Sequence, residues 1–256
     1  MKRIIVFLLP LSSLFFGLAR ASSAPAPAPV PDPRHLSNGR VIPDEHYADQ
    51  PYIVKTDDGA WLCAITTGSG NEGAGGQHVI SIRSTDKGVT WEKPVDIEPA
   101  RGPEASYVVL LKTSYGRVYA LYNHNTDRVP EVKREDQGVY KRVDSLGHYV
   151  FKFTDDHGKT WSERRYEIPL RAFDCDLQNV YKGELKFFWN VGKPLLIGTD
   201  ALCVIHKVGA MGAGFFAQSE GAFLKSPNIL TERDPAKIVF ETLPEGTVGL
   251  RTPPGG

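Results

Sequence analysis

The sequence has few sulfur-containing residues and no net charge. Its 256 residues include three cysteines and two methionines, and 30 Lys and Arg balance 30 Asp and Glu. Charge balance of this kind gives no reason to expect binding to nucleic acid. With no C-x-x-C or H-E-x-x-H motif, the sequence also argues against a structural zinc site, and we expect neither a metal nor a cofactor.

The three cysteines are Cys63, Cys175 and Cys203, an odd number for an exported protein. No spacing identifies a disulfide pair. Cys63 and Cys203 lie in apolar runs typical of strands. We therefore expect buried free thiols at these two positions.

Long apolar runs are scarce, and the main one is Ile4 to Ala19. It follows two basic residues, is short for a membrane span, and ends at an A-x-A site, so residues 1–21 are predicted to be a signal peptide cleaved after Ala21. An uncleaved anchor is the alternative. Removal of the three positive charges would leave a formal net charge of −3. We expect a secreted or periplasmic protein without a membrane segment.

The next stretch, residues 22–34, is rich in Ala and Pro. It has no apolar pattern that could bury a face, so we expect an extended linker. The folded domain is predicted to occupy 35–256.

One pattern, S/T-x-D-x-G-x-T-W, occurs twice, each time after an alternating apolar run. Its hydroxyl and carboxylate can hold a tight turn, its Gly can adopt a backbone conformation that other residues avoid, and its Trp offers surface to bury. We therefore interpret it as a structural β-hairpin turn. The residues are Ser84, Asp86, Gly88, Thr90 and Trp91 in the first copy, and Thr154, Asp156, Gly158, Thr160 and Trp161 in the second.

The two copies start about 70 residues apart, and Ser226-Pro227-Asn228 follows about 72 residues later as a degenerate third copy that lacks the Gly and Trp. Regular self-similarity of this length indicates a repeat architecture, and four short strands per unit fit a β-propeller blade. The predicted units are about 44–100, 101–170 and 171–245. The fold class is therefore all-β, with about three four-stranded blades.

These boxes resemble the Asp-box (BNR) repeats of sialidases and related propeller glycosidases, over roughly residues 44–256. Propellers close with about four to eight blades. We therefore expect an incomplete ring, the N-terminal part of a longer propeller whose remaining blades come from the same longer chain. Completion by a second chain is the alternative.

In a propeller, the inner strand of each blade lines a central axis. The residues just before each inner strand, and the loops that follow each second strand, reach the same end of that axis, which we call its mouth. Candidate site residues are therefore sought there. Hydrolysis of a glycosidic bond needs a proton donor and a second group that attacks or activates water. The candidates for catalysis are Glu72, Glu104 and His124. The candidates for substrate binding are Asp49, Gln50, Gln77, His78, Asn123, His206 and Lys207. For each, a solvated or turn-capping side chain is the alternative.

The resemblance implies further assignments. Sialidase-like propellers begin with Arg-Ile-Pro, whose Arg holds the substrate carboxylate, whereas this chain reads Asp49-Gln50-Pro51. Glu72 is the nearest counterpart of the family's acid/base Asp. The family's Tyr–Glu nucleophile pair and its other two arginines belong to C-terminal blades, so we expect the chain by itself to be catalytically incomplete.

Three functions remain open from the sequence. The favoured one is an exported glycoside hydrolase of sialidase type that acts on a glycan or polysaccharide. A polysaccharide lyase would use His124 or a Tyr as base, and a carbohydrate- or protein-binding propeller would have no catalytic residues. The charged stretch Asp127–Gly147 is interpreted as a solvated surface loop, with a substrate-covering flap as its alternative.

Overall fold

A computed structural model describes residues 32, 34–209 and 219–251 of the chain. The predicted signal peptide and most of the linker lie outside these residues. The chain divides into two compact units, residues 1–39 and 40–256. In the first, the described residues form one 3-10 turn, Leu36–Asn38. None of the described helices is both long and apolar enough to cross a membrane.

The second unit is built almost wholly from short strands. They are β1 (Tyr47–Lys55), β2 (Trp61–Gly68), β3 (His78–Ser84), β4 (Val95–Asp96), β5 (Ala105–Lys112), β6 (Val118–His124), β7 (Val132–Lys133), β8 (Val139–Tyr140), β9 (His148–Thr154), β10 (Tyr166–Ile168), β11 (Phe187–Trp189), β12 (Leu195–Ile197), β13 (Asp200–Val208), β14 (Ser219–Ser226) and β15 (Glu241–Leu243). One short helix, α1 (Asp174–Leu177), and a 3-10 turn, Pro235–Lys237, complete the described elements.

Apart from the β7–β8 hairpin, the described strands form three consecutive antiparallel sheets. Blade 1 has the order β1-β2-β3-β4, blade 2 has β5-β6-β9-β10, and blade 3 has β11-β13-β14-β15, with β12 also paired to β13. The predicted all-β propeller fold is confirmed. The described residues form three blades, fewer than a closed ring needs, so the ring that they form is incomplete.

The blades pack face to face, which explains why their middle strands read as unbroken apolar runs. Between blades 1 and 2 lies a cluster that includes Leu62, Val79 and Val108. Between blades 2 and 3 lies a larger, more aromatic cluster that includes Tyr119, Phe151 and Ile205. These two interfaces form most of the core.

The edge strands β1 and β5 lie against one another and are the inner strands of their blades. In blade 3, β11 and β12 both pair with β13, on either side of residues 190–194. Residues 190–194 contact β1 of blade 1. The Tyr52 hydroxyl donates to the Val191 carbonyl, and Lys193 Nζ donates to the Ile53 carbonyl at 2.8 Å. The three inner strands thus face a common axis.

Blade 3 buries only one face. Along β14 the residues alternate strictly between buried and half-buried, as expected for a sheet with one covered face. The three residues of β12 are all exposed, as are Val204 and Leu250. Blade 3 therefore presents an apolar face that no described part of the chain covers.

The two boxes form the turns after β3 and β9. The Ser84 hydroxyl accepts from Gly88 N at 2.7 Å, and Asp86 accepts from both Thr90 N and the Thr90 hydroxyl. The second box repeats these bonds: the Thr154 hydroxyl accepts from Gly158 N, and Asp156 accepts from both Thr160 N and the Thr160 hydroxyl. Both glycines have φ near +85°, which a side chain would make costly.

The third copy keeps part of this arrangement at the end of β14. The Ser226 hydroxyl accepts from Ile229 N at 3.1 Å, and Asn228 Oδ1 accepts from Val239 N at 2.9 Å. An amide thus takes the place of the carboxylate, and the turn forms without the Gly and Trp.

The expectation of a solvated loop at Asp127–Gly147 is wrong in part. The segment contains the β7–β8 hairpin, and Val132 is fully buried in a cluster with Val143 and Phe187. Asp144 and Ser145 are also buried. The apolar residues interspersed among the charges anchor this excursion between blades 2 and 3.

All three cysteines are buried free thiols, as expected for Cys63 and Cys203. Burial raises the pKa of both thiols to about 12. Burial is the one cause of the pKa shift at either thiol.

Candidate functional site

The axial mouth is the end of the inner strands where β1 and β5 begin. Each of these strands is interrupted by a bulge, between Asp49 and Tyr52 in β1 and between Ser106 and Val109 in β5. At the bulges, Gln50 and Tyr107 adopt left-handed conformations with φ of 51° and 60°. Such bulges redirect side chains and are common beside functional sites. The two blades thus place a strained residue at equivalent positions.

Arg142, from the connection between β8 and β9, is the centre of a polar cluster at this mouth. Its Nε donates to Asp144 Oδ1 at 2.8 Å. Its Nη2 donates to Glu72 Oε1 at 2.7 Å and to the Tyr107 hydroxyl at 2.8 Å. The Tyr107 hydroxyl in turn donates to Asp144 Oδ2. One guanidinium therefore joins loops from blades 1 and 2.

The loop that carries Glu72 is held from within blade 1. Gln77 Oε1 accepts from Gly73 N at 3.2 Å, and Gln77 Nε2 donates to the Asn71 carbonyl at 2.8 Å. Gly73 has φ of +77°, and a Cβ there would collide with the Arg142 side chain and Asp144 Oδ1. A glycine at this position is what allows the loop to approach Arg142 so closely.

Asp49 is half-buried and lies close enough to Glu72 and Asp144 to be affected by their charges. Burial, then the charge of Glu72, raises the pKa of Asp49, and hydrogen bonds from the Gln50 backbone and the Tyr47 side chain offset this only in part. Burial and the charges of Asp49 and Glu72 also raise the pKa of Tyr47. The cluster thus holds more negative charge than Arg142 neutralises.

Glu104 precedes β5 and is almost wholly buried. Burial raises its pKa to about 8, and the charge of Asp144 adds to the rise while the hydrogen bond from the Ser106 hydroxyl opposes it. Its Oε2 has no hydrogen-bond partner among the described residues. A pKa of about 8 favours the protonated carboxyl at neutral pH.

Asn123 lies beside the cluster, whereas His124 faces the other way. Asn123 Nδ2 donates to the carbonyls of Asp144 and Phe188 at 3.3 and 2.6 Å. His124 is buried against blade 1, with Nε2 at 3.9 Å from Glu98 Oε2. Burial, followed by the charge of Arg165, lowers the pKa of His124 to about 4.

The structure places three further candidates away from the cluster. His78 is buried within 3.9 Å of Glu45 and 3.8 Å of Asp96. His206 stacks on Trp189 in blade 3, with ring centroids 4.3 Å apart. Lys207 is fully buried and pairs with Asp176 at 2.5 Å.

Sequence reasoning missed Tyr107, Arg142 and Asp144. Aligning the starts of the two inner strands, Asp49-Gln50-Pro51-Tyr52 with Ser106-Tyr107-Val108-Val109, would have placed Tyr107 opposite Gln50. Arg142 and Asp144 had no such signal, because they lie in the charged excursion and reach Glu72, 70 residues earlier in the chain, only through folding.

The arrangement can supply a half-buried carboxyl with a raised pKa, Asp49, next to a second carboxylate, Glu72, which is paired with a guanidinium. A carboxyl of the first kind can donate a proton, and a carboxylate of the second kind can accept one or position a ligand hydroxyl. Among the described residues, no group of three or more His, Cys, Asp or Glu is arranged to hold a metal ion.

No protein-family model matches the chain, and no curated protein sequence does so significantly. Solved structures do resemble it. A protein of unknown function from Dyadobacter fermentans superimposes with a TM-score of 0.55 at 15% identity, over 79% of this chain and 56% of that chain.

Two sialidases show weaker likeness. The Hadza microbial sialidase Hz136 gives a TM-score of 0.49 at 13% identity, over 77% of this chain and 37% of that one. The intramolecular trans-sialidase from Ruminococcus gnavus gives 0.47 at 13% identity, over 80% and 61%. The chain thus spans from about a third to three fifths of the length of these structures. At 15% identity, the likeness to the Dyadobacter fermentans protein shows a shared fold and does not extend to activity.

Proposed function

We propose that this chain forms the N-terminal blades of a glycosidase-type propeller and that a glycan binds at its axial mouth. The observation that supports this most is the convergence of Asp49 and Glu72 from blade 1 with Tyr107, Arg142 and Asp144 from blade 2. Such polar groups, held on bulges and buried loops at one end of the inner strands, form a preorganised site.

In the proposed reaction, hydrolysis of a glycosidic bond, Asp49 protonates the leaving oxygen. Its raised pKa favours the protonated form that an acid needs. Glu72, held by Arg142, is the second carboxylate. This reverses the role of proton donor that the family resemblance implies for Glu72. The buried position of His124 gives no support to a lyase that uses it as base.

The test is glycan binding by the full chain on an oligosaccharide microarray, followed by calorimetric titration of the strongest ligand. We expect Asp49→Asn and Glu72→Gln each to weaken binding by about tenfold or more, through the loss of hydrogen bonds between these carboxyl groups and the ligand. The matched control is Glu92→Gln, near the box end of blade 1. Equal affinity in all three variants would overturn the proposal.

We also propose that further blades of the same longer chain complete the ring. Two observations support this. The outer face of blade 3 exposes Leu195, Ile197 and Val204, an apolar patch that a neighbouring blade would cover. In addition, Trp161 Nε1 donates to the Ser81 hydroxyl of the preceding blade at 2.8 Å, whereas the equivalent Trp91 Nε1 has no partner among the described residues.

The blade proposal predicts that the chain alone is prone to associate, because its apolar face and open edges remain uncovered. Sedimentation velocity across a concentration series, together with a thermal melt, tests this. Self-association or a broad melt is expected. A monomer at all concentrations with one sharp cooperative melt would overturn the proposal.

A further inference from the structure

We propose that the glycan at the axial mouth is uncharged and that carboxylated and sulfated glycans are excluded. The inference rests on the proposed function and names its substrate class. It is carried by the hydrogen bonds of Arg142, which leave neither bidentate edge of its guanidinium free for a ligand anion.

A guanidinium grips a carboxylate through two parallel N–H bonds, from either the Nε and Nη2 edge or the Nη1 and Nη2 edge. Both edges require Nη2. In Arg142, Nη2 already donates to Glu72 Oε1 and to the Tyr107 hydroxyl, and Nε donates to Asp144. Since Nη2 has two hydrogens, neither edge remains for a ligand.

The surrounding charge points the same way. Asp49, Glu72 and Asp144 all act electrostatically on Tyr47, and Arg142 is the cation that opposes them there. Even with Asp49 protonated, the carboxylates of Glu72 and Asp144 outnumber the one guanidinium and leave an excess of negative charge. Glu72 is the most exposed of them, so an approaching anion would meet it before it met Arg142.

The same groups suit hydroxyl ligands. Carboxylates without a proton only accept hydrogen bonds, and sugar hydroxyls can donate them. Asn123 adds a further acceptor beside the cluster: the side chain is 99% buried, its Nδ2 donates to the Asp144 carbonyl, and its Oδ1 has no partner among the described residues. A neutral polyol satisfies acceptors of this kind without bringing in charge.

The experiment uses the full chain on a microarray that pairs neutral oligosaccharides with uronate-bearing, sialic-acid-bearing and sulfated counterparts. For the wild type we expect apparent affinity at least about tenfold higher for the neutral member of each pair. Glu72→Ala, which frees one Nη2 hydrogen and removes a negative charge, should reduce this preference to below about threefold. Glu131→Ala, an exposed glutamate outside the cluster, should leave it unchanged.

Three results would overturn the inference. Preference of the wild type for the acidic member would refute it while leaving the proposed function intact. An undiminished neutral preference in folded Glu72→Ala, checked by its thermal melt, would show that this cluster is not the cause. Absence of binding to both members would refute the inference together with the proposed function.

Discussion

Two clusters of acidic side chains within the same blades differ in how their charge is balanced. Glu98, in the connection from blade 1 to blade 2, is 99% buried and is held by Arg165 at 2.7 and 2.8 Å, by the Tyr122 hydroxyl and by Lys152 at 3.6 Å. At the axial mouth, the single Arg142 forms ion pairs with both Glu72 and Asp144, and Asp49 is a third acidic side chain nearby.

The difference separates an element of structure from a candidate site. Burial raises the pKa of Glu98, but its hydrogen bonds from Arg165 and Tyr122 outweigh burial, and the pKa is lowered overall. The pKa of Asp49 is raised. A carboxylate whose charge is fully matched stabilises the interface between blades, whereas surplus charge at an open mouth is available for a ligand.

The largest expected effect is at the balanced cluster. Glu98→Ala should lower the free energy of unfolding by about 3–5 kcal/mol, because it leaves the buried Lys152 and the half-buried Arg165 without their partner. Urea unfolding measures the change. The exposed Glu131→Ala should stay within about 0.5 kcal/mol of wild type. A similarly small loss for Glu98→Ala would remove the distinction between the two clusters.

Glu104 sharpens the comparison, because it is buried like Glu98 but forms no ion pair in the described part of the chain. The folded protein retains its proton up to a pKa of about 8, whereas an unperturbed carboxyl releases it near 4.5. The stability that this proton provides is complete below about pH 4.5 and is lost as the pH rises toward 8.

Raising the pH from 5.5 to 7.5 should therefore lower the free energy of unfolding by about 2–3 kcal/mol, as Glu104 begins to lose its proton. Urea unfolding of wild type and Glu104→Gln at both values isolates this contribution from other titrating groups. The amide variant should lack this part of the pH dependence. The same pH slope in both proteins would show that Glu104 is ionised in the folded state.

At the mouth, the geometry of the Glu72 loop depends on Gly73. Gly73→Ala should lower the free energy of unfolding by about 1–3 kcal/mol, since a Cβ at φ +77° would collide with Arg142 and Asp144. Gly75→Ala is the matched control, because a Cβ there meets open space. Equal melting temperatures for the two variants would argue against close contact between this loop and Arg142.

The smallest effect is expected at Asp49. Asp49→Asn removes one of several like charges, so its free energy of unfolding should be within about 1 kcal/mol of wild type, on the stabilising side. Chemical denaturation at neutral pH tests this prediction. A loss as large as that of Glu98→Ala would mean that the mouth cluster is balanced after all.

Much of the fold could be predicted because its signals are local. The boxes at 84–91 and 154–161 fix two turns through bonds that span four residues, and the apolar runs before them fix strands. Burial of 143–146 could not be predicted, since it depends on Phe187 in the next blade. The candidates Asp49 and Glu72 lie at one mouth, but Arg142, the partner of Glu72, comes from a stretch whose charges by themselves favour a solvated loop.

The sequence by itself determined that this protein is a repeat of short antiparallel strands with hairpin turns of known chemistry, because periodicity and turn bonds act over a few residues. The tertiary structure alone decided which charges meet. Arg142 reaches Glu72 and Tyr107 across 70 and 35 residues, and Glu98 meets Arg165 across 67. Electrostatic interactions act through space, so whether a carboxylate is balanced or in surplus is set by how the blades pack.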